Sequence, residues 1–183
     1  MKIGITGSIS SGKTSVARIL CKNKNILFSA DEVVQDIYKS NKFKKKILKK
    51  FKIKNTNIKK ELKRKLLCGK ISLKSLGKSI HPLVRQSMRE FYKKNKDKKI
   101  LFFEIPLLIE SKLMSFFDFI VLVVSPRKQR LRRYQKNGGD IKMFNLLDKS
   151  QMSAKKKIKF CDYLIVNNKS KSVLKKKVND IMT

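Results

Sequence analysis

Tryptophan is absent from this 183-residue chain and tyrosine occurs four times, which leaves few side chains on which nucleic-acid bases could stack. Cysteine is confined to positions 21, 68 and 161. An odd number, wide spacing and no histidine partners exclude a disulfide framework and a zinc site, so all three are expected to be small buried apolar residues. With His81 as the sole histidine, no activated Cys or Ser–His pair is available for covalent catalysis. Long apolar runs are also missing, since Ile100 to Ile109 is interrupted by Glu104 and Pro106, and no membrane span is expected. Polar residues from Thr6 onward argue against a signal peptide, and a cytosolic protein is expected. Acidic residues number 13 against 47 Lys and Arg, a formal charge of +34. Such a charge ordinarily suggests a polyanionic partner. Here it is carried by thirty-nine lysines spread over most segments, beside abundant Asn and Ile, a bias that an AT-rich coding sequence would write onto any solvated helix face. No specific nucleic-acid partner is expected.

What is present begins near the N-terminus. Gly7-Ser8-Ile9-Ser10-Ser11-Gly12-Lys13-Thr14 fits GxxxxGK[ST] at every fixed position and follows the apolar segment Ile3 to Ile5. A strand, a glycine-rich loop and a helix from about Thr14 to Asn23 would aim backbone N–H groups at phosphate oxygens. In this reading Lys13 reaches the outer phosphates and the Thr14 hydroxyl completes the coordination of a phosphate-bound Mg²⁺. Nucleoside-triphosphate binding is the implied activity.

The length suits one domain. Apolar segments alternate with helical patterns, which implies an α/β fold with a parallel sheet and helices on its faces. Five strands are expected at Lys2 to Thr6, Ile26 to Ser29, Ile100 to Ile105, Phe119 to Val124 and Tyr163 to Val166, each apolar enough to be covered on both faces. The core would comprise residues 1–32, 98–126 and 153–183. An insert over about 33–97 reads as lysine-rich helices with stops at Gly69 and Gly77. Residues 127–152 read as a second basic helical section, a lid hinged at Gly138 and Gly139.

Ligands of open parallel sheets sit at the carboxyl ends of the strands. Asp31, just after the second strand, either accepts a proton from an attacking hydroxyl or serves the first helical turn, where Ser29 and Glu32 fit a capping box. Glu104 closes the third strand, as a metal-side carboxylate or as a buried hydrogen-bond partner. His81, followed by Pro82 and by Arg85 one turn along, either faces an acceptor or marks a structural turn. Arg127, Arg130, Arg132 and Arg133 hold half of the arginines in seven residues, and at least one is expected to stabilise charge on a transferring phosphoryl group.

In this order and spacing the residues resemble the dephospho-coenzyme A kinases over nearly the whole chain. The likeness rests on Ile5 to Thr14, Ala30-Asp31, Ile80-His81-Pro82-Leu83-Val84-Arg85, Ile105-Pro106-Leu107-Leu108-Ile109-Glu110, Ser125-Pro126 with Gln129, Gln151-Met152, and the pair Asp162 and Asn167. It implies a P-loop kinase fold with a helical acceptor-binding insert and a helical lid, and transfer of the ATP γ-phosphoryl group to the 3′-hydroxyl of dephospho-coenzyme A. Mg²⁺ would accompany ATP, and the protein would be a monomer. By the same resemblance, Gly7, Ser10, Ser11, Gly12, Lys13, Thr14, Ser15 and Asn167 bind ATP. Asp31, His81, Arg85 and Leu107 bind the acceptor, and Asp31, Lys13, Arg132 and Arg133 serve the transfer. Ser8 and Ser10 replace frequent glycines, which is tolerable if neither position needs positive φ. Lys136 and Leu147 stand where the lid often has arginine, so either Arg132 or Arg133 compensates or the lid clamps weakly. The rival readings are a kinase of a nucleoside or nucleoside monophosphate, and a basic ATP-binding nucleic-acid module.

Overall fold

The computed structural model describes residues 1–21, 26–54 and 57–180. The chain divides into two units, one of Met1–Ser29 with Tyr92–Thr183 and one of Ala30–Phe91.

The first unit is built on five parallel strands, β1 (Lys2–Gly7), β2 (Leu27–Ser29), β3 (Leu101–Glu104), β4 (Phe119–Val124) and β5 (Tyr163–Val166), in the order β2-β3-β1-β4-β5. β1 is central, paired with β3 on one side and β4 on the other. Its register runs Ile5 opposite Glu104 on one side and Gly7 opposite Val123 on the other. The chain therefore switches direction across β1, and the loop leaving its carboxyl end lies where such sheets place ligands.

Alternation along β1 separates two cores. Ile3 and Ile5 join Val16, Ala17 and Leu20 of α1 (Lys13–Leu20) and Leu174 and Val178 of the helix Lys171–Asn179. Gly4 faces the other way, where a Cβ would come within 2.6 Å of Leu108 Cδ1. That face is covered by an edge-to-face aromatic group of Phe103, Phe116, Phe117 and Tyr92. Phe103, fully buried among them, contributes roughly 1.5–3 kcal/mol by leaving water. The first helix ends at Leu20, and its expected extension to Asn23 lies outside the described residues. β5 departs from the doubly covered pattern. It is an edge strand in which only Ile165 is buried, while Tyr163, Leu164 and Val166 are exposed.

The second unit holds α2 (Ala30–Lys39), α3 (Asn41–Phe51), α4 (Ile58–Leu67) and most of α5 (Leu73–Lys94). Phe43, Ile47 and Phe51 recur every four residues and are buried, and lysines take most of the remaining positions of α3. Ser40 and Asn57 cap α3 and α4 by accepting from Phe43 N and Lys60 N. Gly69 follows α4 with φ +72°, the left-handed helix stop its type favours. Gly77 is no stop. It lies inside α5, where a Cβ would meet the His81 ring at 3.0 Å.

His81 and Pro82 are likewise helical rather than a turn, with Pro82 well inside α5. Of the cysteines only Cys21 is buried. Cys68 is exposed at the end of α4 and Cys161 is half-buried, because helix ends leave one side of the residue open. Burial pushes the Cys161 thiol up to about 11. Among the described residues no helix is long and apolar enough to cross a membrane.

Candidate active site

The loop between β1 and α1 is shaped by two close approaches. A Cβ on Gly7 (φ +150°) would lie 2.2 Å from the Val123 carbonyl oxygen, and one on Gly12 (φ +101°) would lie 2.1 Å from Asn167 Nδ2. Both positions require glycine for space as well as conformation. Ser10 has φ +55°, so the condition under which serine would be tolerated there fails. The loop holds it in a left-handed conformation that costs about 1 kcal/mol. Ser8 is not among the positive-φ residues.

Four consecutive carbonyls of this loop are engaged by side chains. Ser8 O accepts from Lys13 Nζ at 3.0 Å and Ile9 O from Arg130 Nη1 at 3.4 Å. Ser10 O and Ser11 O accept from Arg133 Nη1 at 3.5 and 3.3 Å, and Ser11 O also from Asn167 Nδ2 at 2.8 Å. Turning carbonyls toward cations orients the intervening peptides for anion binding. At the head of α1, Gly12 provides no side-chain cap and the first turn has no acidic residue. The helix N-terminus is thus left for an external anion.

Glu104 takes the second of its expected places, that of a buried hydrogen-bond partner. It is 1% exposed, and its Oε1 accepts from Thr14 Oγ1 at 2.6 Å. The buried carboxylate therefore orients the hydroxyl expected at a metal.

The basic section forms α6 (Arg127–Lys136) and α7 (Ile141–Ser150), joined through Gly138 and Gly139. Gly138 takes φ +78° in open space, whereas a Cβ on Gly139 would strike the Tyr134 ring at 2.2 Å. Arg130, 9% exposed, pairs with Asp148 of α7 at 2.5 Å and donates from Nε to Ser125 O at 3.1 Å. The Arg127 and Arg130 guanidiniums lie 5.5 and 5.7 Å from the Phe144 ring centre. Arg133 reaches the loop, and burial lowers its pKa from the usual arginine value. Arg132 is exposed. Beyond α7, Gln151 Oε1 accepts from Ile9 N at 2.8 Å. A cavity of about 280 Å³ opens there, lined by Ser8, Ser125, Arg130, Asp148, Gln151 and Met152 among others.

The dephospho-CoA kinase (CoaE) family model matches residues 1–172. The chain belongs to the dephospho-CoA kinase family. A dephospho-CoA kinase of Fusobacterium nucleatum is 35% identical over 184 aligned positions, covering 97% of this chain and 95% of that protein. Two solved structures share the fold at 24% identity, each covering 100% of this chain and 96% of its own. One is a Thermus thermophilus protein with TM-score 0.78, the other a dephospho-CoA kinase from Campylobacter jejuni with TM-score 0.68. An ATP-using kinase follows from the family, in agreement with the loop.

Within this member of the dephospho-CoA kinase family, the sheet unit gathers Gly7, Ser10, Ser11, Gly12, Lys13, Thr14, Glu104, Arg133 and Asn167 at one end of β1. Ser15 is exposed in the first turn of α1, and Leu107 is half-buried in the turn after β3. Asp31, His81 and Arg85 belong to the helical unit. Asp31 is exposed in the first turn of α2. His81 is half-buried on α5, and its pKa is lowered by burial and then by the Arg85 charge, so the imidazole is neutral at pH 7.

Three residues that hold the site were not singled out from sequence as site residues: Arg130, Gln151 and Lys157. Lys157 is fully buried, pairs with Glu110 Oε1 at 2.9 Å and donates to Pro106 O at 3.2 Å, while Glu110 Oε1 also accepts from Met152 N at 3.0 Å. The Pro106-Leu107-Leu108-Ile109-Glu110 segment is thereby tied to the end of the basic section. Gln151 had its motif as a signal; Lys157 had none, being one lysine among thirty-nine.

Proposed function

We propose that the chain transfers the γ-phosphoryl group of ATP directly to the 3′-hydroxyl of dephospho-coenzyme A, with no covalent enzyme intermediate. The observation that carries this reading is a phosphate loop with its Thr14–Glu104 pair, in a chain matched from residue 1 to 172 by the dephospho-CoA kinase family. Lys13, now on Ser8 O, swings to the β- and γ-phosphates. The N–H groups at the start of α1 bind phosphate oxygens. Arg133, already over the loop carbonyls, supplies positive charge where the transferring group develops negative charge. This assigns to Arg133, and not to the exposed Arg132, the compensation for Lys136 and Leu147.

On the acceptor side, Asp31 orients the attacking hydroxyl and takes its proton. Neutral His81, Arg85 and Leu107 bind the acceptor, with Arg85 suited to its phosphates. Mg²⁺ fits the residues present: Thr14 Oγ1, steered by Glu104, is a hard oxygen donor of the kind Mg²⁺ takes beside phosphate oxygens and waters. A Mg²⁺ held there would supply positive charge to offset the negative charge of the triphosphate. Residues 127–152 act as a lid that excludes water from the site. All the residues named come from one chain, and the working species is taken to be the monomer.

The test is a mass-resolved phosphotransfer assay with Mg-ATP offering dephospho-coenzyme A beside AMP, CMP, adenosine and shikimate. Selective formation of coenzyme A is expected. Phosphorylation of another acceptor in its place overturns the substrate assignment.

A further inference from the structure

In a phosphate loop the N–H groups are the ligands, and the fate of each peptide decides how well the loop is formed before a nucleotide arrives. The two peptide groups flanking Ile9 are held by one segment of the chain. The Ile9 N–H donates to Gln151 Oε1 at 2.8 Å, and the Ile9 carbonyl accepts from Arg130 Nη1 at 3.4 Å. Gln151 is the residue directly after α7, and Arg130 of α6 is locked to α7 through Asp148 at 2.5 Å. The next residue is Ser10, strained at φ +55°. A serine in that conformation needs the peptides before it fixed, because otherwise the loop relaxes toward negative φ.

We infer that Gln151 is a positioning residue for nucleotide binding, holding the Ser8–Ile9 peptide so that the strained loop stays formed and the α6–α7 hairpin is coupled to phosphate occupancy. It does not touch the reacting atoms. Its carboxamide oxygen takes the Ile9 N–H outward, and Arg130 holds the carbonyl of the following peptide. Movement of α7 then pulls on the loop through two hydrogen bonds, and a loop closed on phosphate holds α7 in return. The inference rests on the nucleotide reading of the loop, and on the proposed acceptor only for its kinetic arm.

Gln151→Met keeps the length of the side chain and removes the acceptor. Calorimetric titration with Mg²⁺ and a non-hydrolysable ATP analogue is expected to show about tenfold weaker binding, the consequence of one partly buried N–H left without its partner. The melting temperature is expected to stay close to that of the unaltered chain, and the KM for ATP to rise while titrated dephospho-coenzyme A binds as before. Should the methionine variant not fold, Gln151→Asn, whose amide falls one methylene short of Ile9, makes the same comparison. Nucleotide affinity within twofold of the unaltered chain overturns the inference, as does an equal loss of affinity for both ligands, which would mark general loosening. If the unaltered chain makes no coenzyme A, the proposed reaction fails, and the nucleotide titration still decides the role of Gln151.

Discussion

The sheet unit and the helical unit hold their candidate residues in opposite ways. Around the phosphate loop, Lys13, Arg130, Arg133 and Asn167 each donate to a loop carbonyl, and Thr14 is fixed on a carboxylate with 1% exposure. In the helical unit Asp31 is exposed in a first helical turn, and His81 and Arg85 are half-buried along α5. A group that binds the same triphosphate every time gains from being pre-formed. A group that engages an acceptor hydroxyl has to remain accessible to it. The two halves should therefore fail differently when altered.

The sharpest contrast within the sheet unit is between neighbouring arginines. Arg133→Ala is expected to lower kcat/KM for coenzyme A formation by about a hundredfold, the scale for loss of one charge-stabilising donor. Arg132→Ala should change it by less than about threefold, since an exposed side chain away from the loop has little to lose. Equal effects in steady-state assays would break the assignment of Arg133.

Stability separates the halves next. Asp148→Asn leaves the buried Arg130 charge poorly paired, and a loss of roughly 1–3 kcal/mol is expected in urea unfolding, short of the full cost for a pair sealed from water. Glu61→Gln on α4 removes a partner of Arg64 at the protein surface and should leave the urea midpoint close to that of the unaltered chain.

The pH dependence belongs to the helical unit. Folding lowers the His81 pKa below its ordinary value of 6.5, so the unfolded chain binds the proton more readily. The stability linked to neutral His81 is complete above about pH 6.5 and falls as pH drops toward the lowered folded value. Melting temperatures between pH 7.5 and 5 should fall less steeply in His81→Gln than in the unaltered chain. Identical slopes would remove His81 from the account.

The smallest effect is a gain. Ser10→Gly relieves left-handed backbone at φ +55° and should stabilise by up to about 1 kcal/mol, part of it returned as entropy of the unfolded chain.

Much of the fold was legible because its signals are local. All five strands appear within a residue or two of the segments expected from apolar runs, and the phosphate loop is specified by consecutive residues. The resemblance named the acceptor-side motifs, whose roles rest on it. What stayed hidden depends on neighbours distant in the chain. Gly77 has the composition of a helix stop, yet its lack of a side chain makes room for the His81 ring one turn along. Ser10 gives no sign that its φ is positive, since that is imposed by how the loop closes. β5 has an apolar sequence, but its place at the sheet edge leaves three of its four residues exposed. Arg130 and Lys157 are buried by contacts with α7 and with Glu110; the arginine cluster flagged the first without saying which of its members is buried, and Lys157 could not be told from a surface cation.

The central claim is that nucleotide is held by the pre-formed sheet unit while the acceptor hydroxyl is activated by Asp31 of the helical unit. Asp31→Asn tests it most directly when coenzyme A formation and ATP affinity are measured on the same preparation. A loss of at least about a hundredfold in kcat, the scale of general-base catalysis, with ATP binding within about twofold, is the expected result. Full activity in this variant, or a parallel loss of ATP binding, would contradict the account.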